Sequence, residues 1–410
     1  MLEGSVEHAS NGSLREISEF SIILLFGGYL LVDSLNGMLM TKFALPSVLS
    51  VAYKQLMLVM LLLYSYVYAR KAFITSCLLL MTVFTWFLFR FTLVDGLHAL
   101  EPLQEAIKAA YFFIVVAVVS DFKFLQLKHL KNILVCFIAV LLLNVFVTLL
   151  GIGERAYGDF GAKGFFYAGN ALSGVLVICA SYFLTKIYSR SLVLFLLIGF
   201  FLAALSLVIG TKSGFLGIVL LMGLLILINL DARSLLLSFV TVFLLSIAAF
   251  LLIEQISQNP LVERVRFFYQ QGGIYYALFS GRETFLITLW PVLLDADIYQ
   301  MLFGIDIEQL YQVKRLRSEM DWLDMYIYFG TVLCLVCSLG YVGVLARLWL
   351  VRHTLLGLSA LLSFILLILI SLIAGHVMFN GMVTPLWGLV CAFALNKNVG
   401  AKQVLKEESF

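Results

Sequence analysis

Charged residues are scarce in this sequence. Only 12% of the 410 residues are Asp, Glu, Lys or Arg, whereas 62% are hydrophobic and the mean hydropathy is +1.05. Soluble domains carry roughly 25% charged and 45–50% apolar residues, so this composition excludes the soluble globular class and predicts a polytopic membrane protein. The net charge of +3 is small, and no segment combines basic and aromatic residues as a nucleic-acid site would.

Three further features are not found in the sequence: the basic flank of a signal peptide, a second cysteine pair and a cluster of metal ligands. The first apolar run starts near Ile17 behind acidic residues, so the basic flank of a cleavable signal peptide is missing and a first span is expected instead. Cys334 and Cys337 form a C-x-x-C inside an apolar run without a second pair, and they are expected to pack as small hydrophobic residues. No outer loop clusters carboxylate or His ligands, so no metal and no other cofactor is expected.

Apolar runs dominate what is present. About twelve are long enough to cross a hydrocarbon core of roughly 30 Å, which predicts an all-α fold with a single transmembrane domain over residues 1–410. Between the ninth and tenth runs, residues 254–321 form the one long polar interval, a large loop expected to carry a short amphipathic helix. The runs lie near residues 17–36, 51–69, 73–93, 107–120, 132–152, 170–187, 191–209, 213–230, 234–253, 322–346, 354–373 and 377–395.

Basic residues of the short loops fall on alternate loops, and therefore on one side of the membrane. The positive-inside rule assigns that side to the cytoplasm, so both termini are expected there and the 254–321 loop outside. Several other cations map to the outer side, where charge near lipid is costly unless it faces a polar cavity or a partner. Snorkelling to headgroups explains any one of them, but together they favour an anionic ligand such as a lipid-linked diphosphate. They are Lys54, Arg90, Lys163, Lys212, Arg264, Arg266 and Arg282.

Within the large loop, Ser280 is followed three residues later by Glu283. This spacing predicts a capping box at the start of a helix. Glu283 then has a structural role that competes with a catalytic one. Arg282 lies in the first helical turn, where a cation gains nothing from the helix dipole. We therefore expect Arg282 to face a phosphate, which its guanidinium can bind in a bidentate manner.

Two upstream segments are rich in glycine. Residues 151–170 are expected to form a Gly-rich outer loop, in which Tyr167 and Asn170 contact either sugar rings or only the membrane interface. Residues 210–214 are expected to form a tight outer turn that carries Lys212. This turn lacks the spacing of a phosphate loop, which excludes a nucleotide site.

From about residue 151 to 380 the chain resembles the O-antigen polymerase and ligase superfamily of bacterial envelope glycosyltransferases. The matching motifs are short, and their order and spacing carry the likeness. Lys212 departs from the arginine that is commoner in that family. The motifs are Gly164, Phe166 and Asn170; Thr211 to Gly214; Ser280, Gly281 and Arg282 followed by Trp290; and Glu319 to Asp324 leading to Gly330.

This resemblance implies a protein of the bacterial inner membrane that transfers the glycan of an undecaprenyl-diphosphate-linked oligosaccharide without a nucleotide sugar or a metal. A chain-length regulator and a flippase of the same pathway are implied partners, besides the lipid bilayer. The ligase branch carries a His in the large loop, whereas the 5 histidines here lie elsewhere. The polymerase branch is therefore favoured. A ligase acting on lipid A core and a transporter of lipid-linked sugar remain alternatives, although the spans are nearly free of charge at mid-membrane.

Candidate roles follow from this chemistry. A diphosphate leaving group needs positive charge, and the acceptor hydroxyl needs a general base. Asp321 is the favoured base. The other candidate bases are Glu283, Glu319, Asp324 and His376; the candidate diphosphate ligands are Arg282, Arg264, Arg266, Lys212 and Arg90; the candidate glycan contacts are Tyr167, Asn170 and Trp290.

Overall fold

Apolar runs in lipid must satisfy their backbone N–H and C=O groups within the segment, and the α-helix does this. The computed structural model is accordingly helical, and it describes residues 2–157, 160–167, 169–228, 260–279, 281–373, 375 and 377–399. Its first helices are α1 (Leu2–Phe43), α2 (Leu49–Tyr68), α3 (Arg70–Arg90), α4 (Leu100–Val119), α5 (Leu127–Leu149), α6 (Gly169–Tyr188), α7 (Leu192–Ile209) and α8 (Lys212–Ile228).

In the second half of the chain, the described helices are first short or kinked and then long and apolar. Four short or kinked helices occupy the large polar loop, and three apolar helices follow it. They are α9 (Pro260–Phe279), α10 (Arg282–Leu294), α11 (Ile298–Phe303), α12 (Ile307–Gln312), α13 (Asp321–Leu350), α14 (Leu355–Ile373) and α15 (Thr384–Leu395).

Within the described residues, 8 helices are long and apolar enough to cross a membrane, and Lys212–Ile228 and Thr384–Leu395 are shorter apolar helices. One of the 8, Arg70–Val119, contains both α3 and α4, which pack against each other across a π-helical and 3₁₀ turn at residues 91–99. The chain is therefore an all-α, multi-pass membrane protein. The expected run at 234–253 lies outside the described residues, and the total of about twelve spans stays a prediction.

The Gly-rich segment expected as a loop forms a small antiparallel hairpin instead, with β1 (Glu154–Tyr157) paired to β2 (Phe160–Gly164). Two polar side chains of α5 hold this hairpin. Thr148 Oγ1 accepts the Gly164 N–H at 2.9 Å, and Asn144 Oδ1 accepts the Phe165 N–H at 2.9 Å. Gly164 has φ +66°, and a Cβ there would overlap Asn144, so the position requires glycine.

The core sits where α4 and α15 pack against α13 and α14. Tyr341 stacks on Trp387 with ring centroids 5.3 Å apart, and Phe112 lies 4.6 Å from the same indole. Tyr341 Oη also donates to the Met378 carbonyl at 3.1 Å. This hydrogen bond ties the aromatic core to the segment 377–383 that precedes α15.

Polar contacts mark the two ends of the bundle. One end, where the last described helix α15 finishes, is called the terminal end. There, Asn396 Nδ2 donates to the Phe122 carbonyl at 2.8 Å, and Glu19 accepts the Phe124 N–H at 2.7 Å. The loop end is the opposite one, where α10 to α12 meet the start of α13. The candidate site residues that the structure brings together lie at this loop end.

Candidate functional site

Arg90 pins the large loop to the bundle. Its side chain is fully buried, pairs with Asp95, and donates to the carbonyls of Phe303 at 3.1 Å, Ile305 at 2.6 Å and Tyr328. Asp95 in turn accepts the Ile307 N–H at 3.1 Å. The prediction that Arg90 binds a diphosphate is therefore wrong for this structure, because its guanidinium is enclosed by protein acceptors. Arg90 positions the loop.

Two glycines allow this close approach. Gly304 has φ +109° and Gly330, inside α13, has φ +63°. A Cβ on Gly304 would overlap the Arg90 guanidinium, and a Cβ on Gly330 would overlap the backbone of Leu302. The kink at Gly330 thus lets the turn after α11 pack directly on α13.

Asp321, the favoured base, is an anchor in this structure. It is 1% exposed, and its Oδ2 accepts the backbone N–H groups of Val377 at 2.7 Å and Met378 at 2.9 Å. Hydrogen bonds of this kind stabilise the ionised carboxylate and occupy one of its oxygens. Asp321 thus holds segment 377–383 in place, and its role as the base stays a prediction.

Asp324 has a similar role one turn later. Its carboxylate accepts the Ser318 Oγ–H at 2.7 Å and the Glu319 N–H at 3.1 Å. Glu319 adopts φ +61°, which is disfavoured for any residue other than glycine. A backbone in this region persists when neighbouring contacts impose it, and such positions concentrate at functional sites. Asp324 thus fixes the direction in which Glu319 projects.

Arg282 and Arg315 both contact that Glu319 carboxylate. Arg282 Nε donates to Oε2 at 3.3 Å, and Arg315 Nη2 donates to Oε1 at 3.4 Å. Arg282 also donates from Nη1 to the Ile373 carbonyl at 3.1 Å, and the Arg315 guanidinium lies 3.1 Å from the centre of the Phe285 ring. We call Arg282, Arg315 and Glu319 the Glu319 clamp. It joins two cations through one carboxylate.

The clamp is partly open to solvent. Glu319 is 36% exposed at its side chain, compared with 11% for Arg282 and 30% for Arg315. Glu319 and Arg315 are therefore reachable from solvent, whereas Arg282 is largely covered. Arg315 Nε is buried without a hydrogen-bond partner, so the clamp also has an unused donor.

Glu283 differs from the prediction made for it. Helix α10 starts at Arg282 behind Gly281, which has φ +80° and has no side chain to form a cap. Ser280 lies outside the described residues. Both carboxylate oxygens of Glu283 are buried and have no hydrogen-bond partner. Gly281 occupies the N-cap position predicted for Ser280, and Glu283 is a carboxylate with buried oxygens that no described residue satisfies, a costly state in the absence of a ligand or a proton.

A second group of cations surrounds Glu105 of α4, and sequence reasoning missed it. Glu105 Oε1 accepts from Arg317 Nη2 at 2.8 Å and from Lys108 Nζ at 2.9 Å. The Arg317 guanidinium also lies 5.4 Å from the Tyr328 ring centre. We call these four residues the Glu105 cluster. The spacing of Glu105 and Lys108 on one helical face could have indicated half of it.

Arg317 remains charged in this setting. Burial lowers the pKa of its guanidinium, but the neighbouring Glu105 carboxylate and Tyr328 raise that pKa by more, so the net direction is upward.

Lys54 and Asp33 form another ion pair, in which Lys54 Nζ lies 2.7 Å from Asp33 Oδ1. A Cβ on Gly381 would lie 3.5 Å from Lys54 Nζ, which places this pair beside segment 377–383.

The remaining candidates are scattered. Lys212 Nζ lies 5.4 Å from the Phe268 ring centre, and a Cβ on Gly281 would lie 3.0 Å from the same ring, so Lys212 approaches the start of α10. Tyr167 is 81% exposed, Trp290 is 54% exposed, and Arg266 is exposed. His376 and the side chains of Arg264 and Asn170 lie outside the described residues. The roles of these residues stay predictions.

Across the part of the chain that the structure describes, no group of three or more His, Cys, Asp or Glu residues is arranged to hold a metal ion. The charges at the loop end are instead mixed pairs of cations and carboxylates. Such an arrangement can bind a phosphate through its guanidiniums and accept a proton at a carboxylate. No protein-family model matches the chain, and no curated protein matches it.

Proposed function

We propose that this protein is a polymerase of undecaprenyl-diphosphate-linked oligosaccharide repeat units, acting at the outer face of a bacterial inner membrane to build O-antigen or a related surface polysaccharide. The observation that carries the proposal is the Glu319 clamp beside Glu283. Two guanidiniums meet at the Glu319 carboxylate, and Glu283, which follows Arg282 in the chain, has buried carboxylate oxygens without a partner among the described residues. The resemblance in sequence motifs supplies the class of substrate.

The reaction needs little chemistry from the protein. An oxygen of the acceptor hydroxyl attacks the anomeric carbon of the donor glycan, and the bond from that carbon to the diphosphate oxygen breaks. The bonding electrons leave with the undecaprenyl diphosphate, and the hydroxyl proton passes to a carboxylate. The growing negative charge on the diphosphate is the feature that a site must stabilise, and preorganised guanidiniums in a water-poor setting do this well.

Arg282 and Arg315 are the groups we assign to the leaving diphosphate. Both carry their charge toward one partly exposed carboxylate, and a diphosphate brings more negative charge than Glu319 does. The substrate would take the place of Glu319 between the two guanidiniums, which offer planar donor pairs to phosphate oxygens. Lys212 approaches the same region and would add a third cation.

Glu283 is the base that the geometry favours. Asp321 and Asp324 are committed to backbone donors, and Glu319 is held by two cations. A base must have a free oxygen within reach of the proton that it takes. The oxygens of Glu283 have no hydrogen-bond partner among the described residues, and Glu283 directly follows Arg282, the residue assigned to the leaving group.

A transporter of lipid-linked sugar is the second candidate, because the spans carry more buried charge than the sequence pattern indicates. Asp33 with Lys54 and Arg90 with Asp95 form ion pairs inside the bundle. Charges of this kind mark transport pathways in other membrane proteins. A ligase that moves glycan to lipid A core would share the donor chemistry and differ in its acceptor.

The deciding experiment uses purified full-length protein in lipid nanodiscs, supplied only with single repeat units on undecaprenyl diphosphate. The expected result is a ladder of longer lipid-linked glycans and release of one undecaprenyl diphosphate for each bond formed. Folded protein that produces no ladder would overturn the proposal. In proteoliposomes, movement of the intact substrate between leaflets without elongation would establish the transporter in its place.

A further inference from the structure

The Glu105 cluster shares no residue with the Glu319 clamp and has a polar atom of its own without a partner. Glu105 is 5% exposed at its side chain, and one of its oxygens, Oε1, accepts from both Arg317 and Lys108. The two cations are reachable, at 30% exposure for Arg317 and 40% for Lys108. A ligand can therefore approach the cations while the carboxylate remains behind them.

The second oxygen of Glu105 is the more informative atom. Oε2 is buried and has no hydrogen-bond partner among the described residues. A buried carboxylate oxygen without a donor is costly. The donor that completes this site is a group that the described residues do not supply.

These features together indicate which chemical groups the ligand must carry. A simple anion would satisfy Arg317 and Lys108 but would be repelled by the free oxygen of Glu105. A neutral sugar would donate a hydroxyl to Glu105 but would leave the two exposed cations without an anion. A sugar attached to a diphosphate carries both groups within a few bonds, so it matches the whole cluster.

The cluster is next to the clamp in space. Arg317 and Glu319 are two positions apart, so their Cα atoms are separated by at most roughly 7 Å. Polymerisation between two lipid carriers releases the undecaprenyl diphosphate of the donor and leaves the diphosphate of the acceptor attached to its glycan, so the enzyme holds two diphosphates when the bond forms. Resting on the proposed function, we infer that the Glu105 cluster binds the diphosphate and adjoining sugar of the acceptor, beside the donor in the Glu319 clamp.

The test counts bound lipids by native mass spectrometry of the full-length protein in nanodiscs. Every protein counted carries Glu283→Gln, so that the bound molecules are not joined. The probe is undecaprenyl diphosphate carrying one repeat unit, extracted from a strain that lacks the protein. The reference protein, which carries Glu283→Gln alone, is expected to bind two molecules. Lys108→Gln with Arg317→Gln should keep one, because each charged hydrogen bond that is lost weakens binding by about ten- to a hundredfold.

Two further double variants test which of the two bound molecules is lost and whether the loss of any two exposed cations has the same effect. Arg282→Ala with Arg315→Ala should also keep one molecule, but the one in the acceptor site. Arg70→Gln with Lys71→Gln removes two exposed cations at the start of α3 and should keep both molecules. If the Lys108 and Arg317 double variant does not fold, Lys108→Gln alone should still weaken the second binding event by about tenfold.

The outcomes separate the two proposals. One bound molecule in the reference protein, lost only with Arg282 and Arg315, would overturn the acceptor site but not the polymerase. No bound molecule in the folded reference protein would overturn both. Undecaprenyl diphosphate without sugar should occupy the second site more weakly, and equal binding of the two probes would overturn the hydroxyl contact to Glu105.

Discussion

Arg282 and Glu319 lie 37 residues apart in the chain, yet Arg282 Nε donates to Glu319 Oε2 at 3.3 Å. The contact joins the start of α10 to the turn before α13, and it is completed from the other side by Arg315. A carboxylate held by two guanidiniums lies here at the loop end of an apolar bundle. An anionic substrate can bind there by replacing that carboxylate between the guanidiniums. The first prediction concerns this pair.

Replacing Arg282 tests the leaving-group site. Arg282→Ala should slow chain elongation by roughly 10²–10³-fold, because one preorganised contact to the developing charge is lost. Arg282→Lys should recover only part of the rate, since an ammonium cannot form the bidentate contact. The measurement is repeat-length distribution together with the abundance of each variant in membranes. Normal ladders from Arg282→Ala at normal abundance would refute the role.

Glu283→Gln separates the two roles considered for Glu283. As the base, Glu283 should be essential, and its amide variant should lose activity by roughly 10²–10⁴-fold. The same change should leave thermal stability equal or higher, because it removes a buried charge that has no partner. Turnover and melting temperature of the purified variant measure both effects. An active variant would exclude Glu283 as the base.

Asp321→Asn should give the opposite pattern. The amide oxygen can accept the same two backbone N–H groups, but these bonds lose the carboxylate charge and a buried NH2 group replaces the second oxygen, so the free energy of unfolding should fall by about 1–3 kcal/mol. The protein that remains folded should still elongate glycan, because the Asp321 oxygen is committed to Val377 and Met378. Activity per folded molecule is the quantity to compare with Glu283→Gln. A stable but inactive Asp321→Asn would restore Asp321 as the base.

Arg90→Ala should destabilise the protein more than any change in the clamp. It leaves Asp95 buried without its partner and frees the carbonyls of Phe303 and Ile305, and loss of one member of a buried pair costs about 3–5 kcal/mol. Arg90→Met combined with Asp95→Leu should recover part of this loss. Membrane abundance and melting temperature are the measurements. A stable Arg90→Ala protein with a specific loss of substrate affinity would return Arg90 to the diphosphate site.

Orientation can be tested without any activity. The basic short loops predict that the terminal end is cytoplasmic, so Lys128→Cys should not react with an impermeant thiol reagent in cells whose inner membrane is intact. Glu308→Cys, in α12 at the loop end, should react under the same conditions. Labelling measured by mass shift gives the answer. The reverse pattern would place the clamp in the cytoplasm and remove the proposed substrate.

The sequence alone determined the class and the helices of this protein, for a physical reason. In lipid each backbone group must find its partner within the segment, so runs of apolar residues specify helices locally, and most of the helices lie close to the expected runs. The start of α10 was predicted from a capping box with Ser280 at the N-cap, and the helix begins one residue later, with Gly281 at the N-cap. The hairpin at 154–164 was missed because its strands are held by Asn144 and Thr148 of α5, outside the segment.

Only the tertiary structure decided which charges are available. Arg90 and Arg282 look equivalent in sequence, yet Arg90 is enclosed by carbonyls more than 200 positions away, whereas Arg282 meets a partly exposed carboxylate. Glu105 meets Arg317 across a separation of 212 residues, which no local pattern encodes. Burial and hydrogen-bond partners set the availability of a charged group, and both are properties of long-range packing.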